Sequence, residues 1–169
     1  MNPLTVIRGT IVETQRFINV PLRMWERYPA RERREVWLRG ADGQERKWVI
    51  HTRVLPARRG HRVVLLLEGD SVVGLFNATT GADINYPRAD PPFLLRGFDL
   101  LAGLALAIGL PAWLGDAGLA LLPPTVALYL ILAVSARVLS RWRLRCQVDK
   151  TLAQVRMASE LHRADRCNR

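Results

Sequence analysis

The chain has 169 residues and a formal net charge of +10, and its apolar residues are concentrated between residues 94 and 136. Only residues 1–93 are then long enough for a globular domain, and a small one, which excludes a large soluble enzyme. The basic balance favours anionic partners, and beside an apolar segment these are usually lipid headgroups.

The front of the chain has the pattern of a small antiparallel β domain. Helical periodicity is absent, and short runs rich in β-branched and aromatic residues alternate with turn signals. The Asp42-Gly43 pair predicts a tight hairpin turn, and Gly9 is a candidate β-bulge. The predicted strands are residues 5–17, 35–39, 45–50, 62–67, 72–77 and 84–86.

The fourth of these strands is apolar without interruption after Arg62. Such a run predicts a strand that is buried on both faces or curled into a barrel, and Gly60 suits a tight turn into it. Five or six strands in so short a segment fit a small barrel of the OB or SH3 type. We therefore predict an α+β membrane protein in which residues 1–88 form a cytoplasmic antiparallel β-barrel domain.

Two basic clusters in this domain are candidates for binding a partner or an anion. In the first, Arg23 and Arg27 flank Trp25, and arginine interleaved with aromatic residues can stack bases while contacting phosphates. Neighbouring glutamates weaken such a face, so a solvated, internally ion-paired loop is favoured over nucleic-acid binding. The second cluster, expected to contact lipid headgroups or a protein partner, comprises Arg58, Arg59 and Arg62.

Residues 98–136 have the composition of a transmembrane helical hairpin. Two apolar runs are separated by residues 115–118, and no lysine or arginine occurs between residues 97 and 136. Basic residues return immediately afterwards. By the positive-inside rule both ends of the chain lie in the cytoplasm, with the hairpin in a bacterial-type inner membrane.

Prolines lie near the predicted start of each of the two hairpin helices. Residues 89–97 form a proline-rich linker, and Asp90 followed by Pro91 predicts the N-cap and first position of the first helix. Pro123 and Pro124 shorten the regular part of the second helix. If Pro124 begins that helix, the hairpin is shallow or re-entrant.

Asp99 is the acidic residue closest to the cytoplasmic end of the apolar segment. A carboxylate in a membrane is a functional hypothesis by default, but Arg96 lies three residues earlier and offers an ion pair at the interface, which we favour. Gly103 and Gly109 each lie four residues from an alanine. This small-residue spacing predicts that the second helix approaches closely.

The membrane interface is predicted from charges and aromatic residues at the two ends of the hairpin. Tryptophan suits the headgroup level, and arginine can extend its guanidinium to it. The predicted interface residues are Arg96, Asp99, Trp113, Arg137, Arg141, Trp142, Arg143 and Arg145.

Residues 137–169 form a basic cytoplasmic tail. Leu144, Val148, Leu152 and Val155 recur at spacings of four and three, which predicts an amphipathic helix continuing from the membrane. Three locations remain open for its apolar face: the headgroups, the β domain, or another copy of the chain.

Motifs that carry chemistry are not found in the sequence. No glycine-rich loop resembles a phosphate cradle, and neither the two cysteines nor the three histidines have metal-binding spacing. We therefore expect no enzyme activity, cofactor or metal. The leading hypothesis is a membrane-anchored interaction module that binds anionic headgroups and a cytoplasmic protein, with self-association possible. Its alternatives are an oligomeric pore or transport accessory with Asp99 facing the path, and a membrane-tethered nucleic-acid-binding barrel.

Overall fold

The computed structural model describes residues 4–20, 32–91, 93–95 and 97–167, with side chains described to residue 161. Within this part of the chain, six strands precede three helices. The strands are β1 Thr5–Phe17, β2 Arg33–Arg39, β3 Glu45–Ile50, β4 Arg62–Glu68, β5 Ser71–Asn77 and β6 Asp83–Asn85; the helices are α1 Tyr86–Ala89, α2 Gly97–Leu114 and α3 Asp116–Cys167.

The six strands form one antiparallel sheet in the order β3-β2-β1-β4-β5-β6. The long first strand organises it, because its first half pairs with β4 and its second half with β2. The antiparallel strands and their approximate positions are confirmed. The last is shifted, since Tyr86 begins α1 instead of ending β6.

The predicted barrel is wrong, because the sheet is open. The edge strands β3 and β6 are not paired with each other in the described residues. The sheet curls enough to bring β3 towards β5, but β6 has only three residues. Pro87 then prevents its extension, since proline has no N–H for a ladder hydrogen bond. The short helix α1 packs beside this edge instead.

Glycines set two of the turns as predicted. Gly43 in the β2–β3 turn and Gly60 before β4 have φ of 75° and 83°, a left-handed region that favours glycine. The bulge predicted at Gly9 is not there, because the irregularity of β1 lies between Ile11 and Glu13. A Cβ at Gly9 would lie 2.7 Å from the carbonyl oxygen of Arg39, so this glycine permits close approach of β2.

The sheet has an apolar core on each face, and β4 contributes to both. Val63, Leu65 and Leu67 point into the core inside the curl, whereas Val64 and Leu66 point outward beneath α3. The prediction that this strand is buried on both sides is thus confirmed. Alternation along the strand assigns its apolar side chains to two cores.

The two long helices form a hairpin with a single non-helical residue at its tip. Both are long and apolar enough to cross a membrane, and at about 1.5 Å per residue α2 extends about 27 Å and α3 about 78 Å. Gly115 makes the turn at φ 54°. Because α3 already begins at Asp116, Pro123 and Pro124 lie inside it, and a second helix beginning at Pro124 is ruled out.

Close helix contact occurs near the tip, at a different glycine from those predicted. A Cβ at Gly118 would overlap the carbonyl oxygen of Leu110. A Cβ at Gly103 or Gly109 would meet no described atom within 4 Å. The small residues in the middle of α2 therefore do not mediate the approach of α3.

Candidate functional site

Three arginines of α3 hold the segment that leads from the sheet to α2. They are spaced four residues apart and so share one face of the helix. Each donates to the backbone carbonyl of a described residue between positions 87 and 94, and so satisfies an acceptor outside the sheet. The pairs are Arg137 Nη1 to Leu94 at 2.7 Å, Arg141 to Phe93, and Arg145 Nε to Pro87 at 3.0 Å. We call these three side chains the junction arginines.

The first junction arginine also neutralises Asp99 of α2. Arg137 forms a two-pronged pair with it, with nitrogen–oxygen distances of 2.5 and 2.6 Å, and the hydroxyl of Tyr129 donates to the same carboxylate at 3.1 Å. Asp99 is only 6% exposed. The guanidinium fork matches the planar carboxylate and joins α2 to α3. Arg96, the partner predicted from sequence, lies outside the described residues.

The cytoplasmic part of α3 packs on the outer face of the sheet. Val148 and Leu152 are 0% and 3% exposed, and they lie against the outer core of β4 and β5. A Cβ at Gly74 would lie 3.1 Å from Val148 Cγ1, so the missing side chain lets the helix lie close. The predicted amphipathic helix is confirmed, and of the three locations left open its apolar face occupies the β domain.

Polar contacts beside this packing fix the direction of α3 on the sheet. Asn85 donates to the carbonyl oxygen of Arg145 at 3.1 Å and to the carboxylate of Asp149 at 2.8 Å. Further along the helix, Arg156 pairs with Asp83. The short edge strand β6 is therefore attached to α3 at two levels, about two to three helical turns apart.

A cavity of about 320 Å³ lies at the junction of the sheet, α1 and α3. Its size is at the lower end of the range for small-molecule sites. Apolar walls come from Val49, Val72 and Leu144, and two of the junction arginines, Arg137 and Arg141, also line it. Its other polar lining includes His51, Glu68, Asp70, Ser71, Asp90 and Ser140.

The carboxylate of Asp90 in the cavity wall already accepts hydrogen bonds from the protein. Asp90 accepts from the hydroxyl of Thr52 at 2.7 Å and from the backbone N–H of Arg53 at 3.4 Å. Its own N–H donates to the carbonyl oxygen of Tyr86, which makes Asp90 the C-cap of α1. The predicted N-cap role is wrong, since α2 begins only at Gly97.

Two carboxylates and one buried hydroxyl of the cavity lining have no partner of their own among the described residues. Glu68 and Asp70 have no ion-pair partner among the described residues. Tyr86 is 5% exposed, and its hydroxyl has no hydrogen-bond partner in the described part of the chain. Burial raises the pKa of this phenol; Arg34 lowers it in part, and Asp90 raises it further.

The other predicted site residues that the structure describes do not line the cavity. Trp113 and Trp142 are 91% and 62% exposed, and Arg143 is exposed on a different side of α3 from the junction arginines. Of the two basic clusters, the first lies outside the described residues. That first cluster is Arg23, Trp25 and Arg27. The second cluster is exposed at and beside the turn into β4, and it comprises Arg58, Arg59 and Arg62.

Sequence reasoning missed Tyr86, Asn85 and Asp149 as junction residues. One signal was available, because Asp149 continues the spacing of four that begins at Arg137. A polar row on one helix face that runs beside an apolar row indicates a packed helix. Across the described residues, no group of three or more His, Cys, Asp or Glu side chains could hold a metal ion.

Comparison with known proteins gives no relative from which to infer a function. No family model matches the chain, and no curated protein or solved structure matches it significantly.

Proposed function

We propose that this chain is a non-enzymatic, two-pass inner-membrane protein that presents a β domain at the cytoplasmic face, where it binds a protein partner. The observation that carries the proposal is the continuity of α3. One helix runs from the hairpin tip to the outer face of the sheet, and Val148 and Leu152 bury its far half there. Motion of the membrane segment and motion of the β domain are thereby linked.

The charge distribution supports the orientation. Residues 97–136 contain no lysine or arginine, whereas the junction arginines and two further basic residues follow within residues 137–150. The basic side is also the side on which the sheet lies. With the hairpin in the membrane, the positive-inside rule places the β domain in the cytoplasm.

The domain is held at two points, which supports a docking role over a flexible tether. The junction arginines fix the entry to α2, and the tail of α3 fixes the sheet itself. A partner that binds such a domain meets a surface of defined height and orientation above the bilayer. Its bound position is then reproducible, and less rotational freedom is lost on binding.

The exposed cluster of Arg58, Arg59 and Arg62 suits an acidic protein surface. None of the three forms an ion pair with a described residue. Their turn is fixed, because Gly60 donates to the carbonyl oxygen of Ile11 at 2.8 Å. Charges on a turn of fixed backbone position steer an oppositely charged partner to a defined place on the domain.

Cysteine labelling tests the topology. In a variant with Cys146 and Cys167 replaced by serine, Asp116→Cys reports the hairpin tip and Asp42→Cys reports the β2–β3 turn. A membrane-impermeant maleimide should label position 116 on intact cells and position 42 only after permeabilisation. The reverse pattern, or labelling of both positions on intact cells, overturns the proposed orientation.

Copurification tests the partner surface, and it requires the full chain. Residues 1–88 alone lack the α3 residues that cover the outer core, so the isolated segment would expose Leu66 and Phe76. The double variant Arg58→Gln/Arg59→Gln should lose a crosslinked cytoplasmic protein that the matched double variant Arg53→Gln/Arg88→Gln retains. Equal recovery with both variants would exclude the basic turn as the docking surface.

The pore hypothesis is less well supported by the geometry. It requires the carboxylate of Asp99 to face a path, but Arg137 and Tyr129 bind its two oxygens. These contacts support a role in joining the helices.

A further inference from the structure

The cavity at the junction lies at the depth of lipid headgroups if the hairpin crosses a membrane as proposed. Ser140 and Leu144 of its wall follow Ala136, the end of the segment without lysine or arginine, by four and eight positions. At about 1.5 Å per residue they stand about 6 to 12 Å beyond the hydrocarbon boundary. The polar region on each side of a bilayer is about 5 to 8 Å thick, so the cavity opens within and just beyond it.

The cavity is lined by charges of both signs, which come from different elements. Glu68 and Asp70, at the β4–β5 turn, lack an ion-pair partner among the described residues. The α3 wall contributes the guanidinium groups of Arg137 and Arg141, whereas the hydroxyl of Ser140 donates to the carbonyl oxygen of Arg137 at 2.9 Å. A ligand that fits must therefore present a cation to the sheet side and an anion to the helix side.

Exposed apolar side chains lie on the connecting segment that Arg141 of the cavity wall contacts. Arg141 in the cavity wall donates to the carbonyl of Phe93, and the Phe93 side chain is 44% exposed. Leu95 and Phe98, which follow, are 61% and 67% exposed. These side chains offer acyl chains an apolar surface on the segment that leads into α2.

We propose that this cavity binds the phosphoethanolamine headgroup of a zwitterionic phospholipid. The phosphate is held by Arg141, and the ammonium donates hydrogen bonds to Glu68 and Asp70. A choline headgroup carries the same charges but has no N–H to donate, and a phosphoglycerol headgroup has no cation to neutralise the two carboxylates. The inference rests on the proposed membrane insertion and goes beyond it by naming the lipid.

Native mass spectrometry of the full chain tests the lipid preference. The protein is purified in detergent and mixed with equal amounts of phosphatidylethanolamine, phosphatidylcholine and phosphatidylglycerol of the same acyl chains. Because the contacts are partly exposed, we expect phosphatidylethanolamine to be retained about two- to fivefold over each of the others. Equal retention of the three lipids overturns the proposal.

Matched variants assign the preference to the cavity. Glu68→Gln/Asp70→Asn should abolish the preference over phosphatidylcholine, whereas the control Glu13→Gln/Glu160→Gln removes two exposed carboxylates elsewhere and should keep it. A preference that survives in the first variant places the lipid at another site and overturns the assignment. Since the wild-type ratio needs no variant, the lipid preference can be judged even if a variant is unstable.

Two further measurements test the lipid source of the headgroup and the membrane insertion separately. Glycerophosphoethanolamine has the headgroup without acyl chains, and competition by it at lipid-equivalent concentration would show a soluble ligand and overturn the lipid source. Carbonate extraction of membranes tests insertion independently. A chain that resists extraction but shows no ethanolamine preference refutes the headgroup site alone, whereas a chain that is extracted refutes the membrane proposal as well.

Discussion

Shortening Leu152 should release the tail of α3 from the sheet. The side chain is 3% exposed and packs in the outer core with Val64, Leu66 and Phe76. Replacing a buried leucine by alanine costs about 2 to 5 kcal/mol, because both the transferred surface and the remaining cavity contribute. If the loss is carried by the contact between α3 and the sheet, a cost of about 2 kcal/mol lowers local protection about 30-fold.

Hydrogen exchange of the full chain in detergent measures this effect. We expect Leu152→Ala to speed the exchange of amides in β5, which lies beneath the helix, and in the segment of α3 from Leu144 to Val155. Leu161→Ala is the matched control, since it is the same chemical change on the same helix at a side chain that is 69% exposed.

The reasoning fails if the two variants exchange alike. Equal rates would mean that α3 is held on the sheet by the polar contacts of Asn85 and Arg156, and that the apolar row contributes little. Faster exchange throughout the sheet, including β3 at its far edge, would show global destabilisation in place of local release.

Three other perturbations test the junction and the hairpin. Arg137→Gln should lower the thermal midpoint in detergent more than the double variant with Asp99→Asn, because removing one partner of a buried ion pair costs up to about 3 to 5 kcal/mol. Gly118→Ala should destabilise the hairpin, since its Cβ would overlap the Leu110 carbonyl; faster exchange near the tip would report it. Tyr86→Phe should leave stability at neutral pH unchanged or raise it by up to about 1 kcal/mol, because the buried hydroxyl has no described partner. The raised pKa of that phenol means that wild-type stability falls as pH rises above about 10, and the phenylalanine variant should lose this component in a pH series of thermal midpoints.

Each of these has a control within the chain. Gly109→Ala tests whether any added methyl group disturbs the hairpin, and because its Cβ meets nothing within 4 Å we expect it to be tolerated. If the double variant has a thermal midpoint no higher than that of Arg137→Gln alone, the loss of stability does not come from the ion pair of Arg137 and Asp99. A clear loss of stability in Tyr86→Phe at neutral pH would imply that the hydroxyl is satisfied.

Local chemistry made most of the sheet predictable. The run at β4 is apolar on both faces, and Asp42-Gly43 and Gly60 supply turns that only a few residue types can make. Such signals depend on neighbouring residues. Strand positions and turn geometry therefore follow from sequence within one or two residues.

Closure of the sheet could not be predicted in the same way. Whether β3 and β6 meet depends on the length of β6 and on what covers the outer face of β4 and β5. The cover is α3, which is more than 60 residues further along the chain. Strand number and the uninterrupted apolar run of β4 suggest a barrel, but neither contains the helix that makes an open sheet stable by burying its outer face.

The positions of the three junction arginines could be predicted from the sequence, but their contacts with the backbone could not. Arg137, Arg141 and Arg145 were assigned to lipid headgroups because they follow an apolar segment, and in the structure each also binds a backbone carbonyl. A guanidinium has five N–H donors in a fixed fork, so one side chain can hold the connecting segment and still present donors to an anion. A lysine would carry the same charge and give the same predicted topology, but its single ammonium lacks that geometry. The choice of arginine at all three positions is therefore a signal of packing that the charge count does not contain.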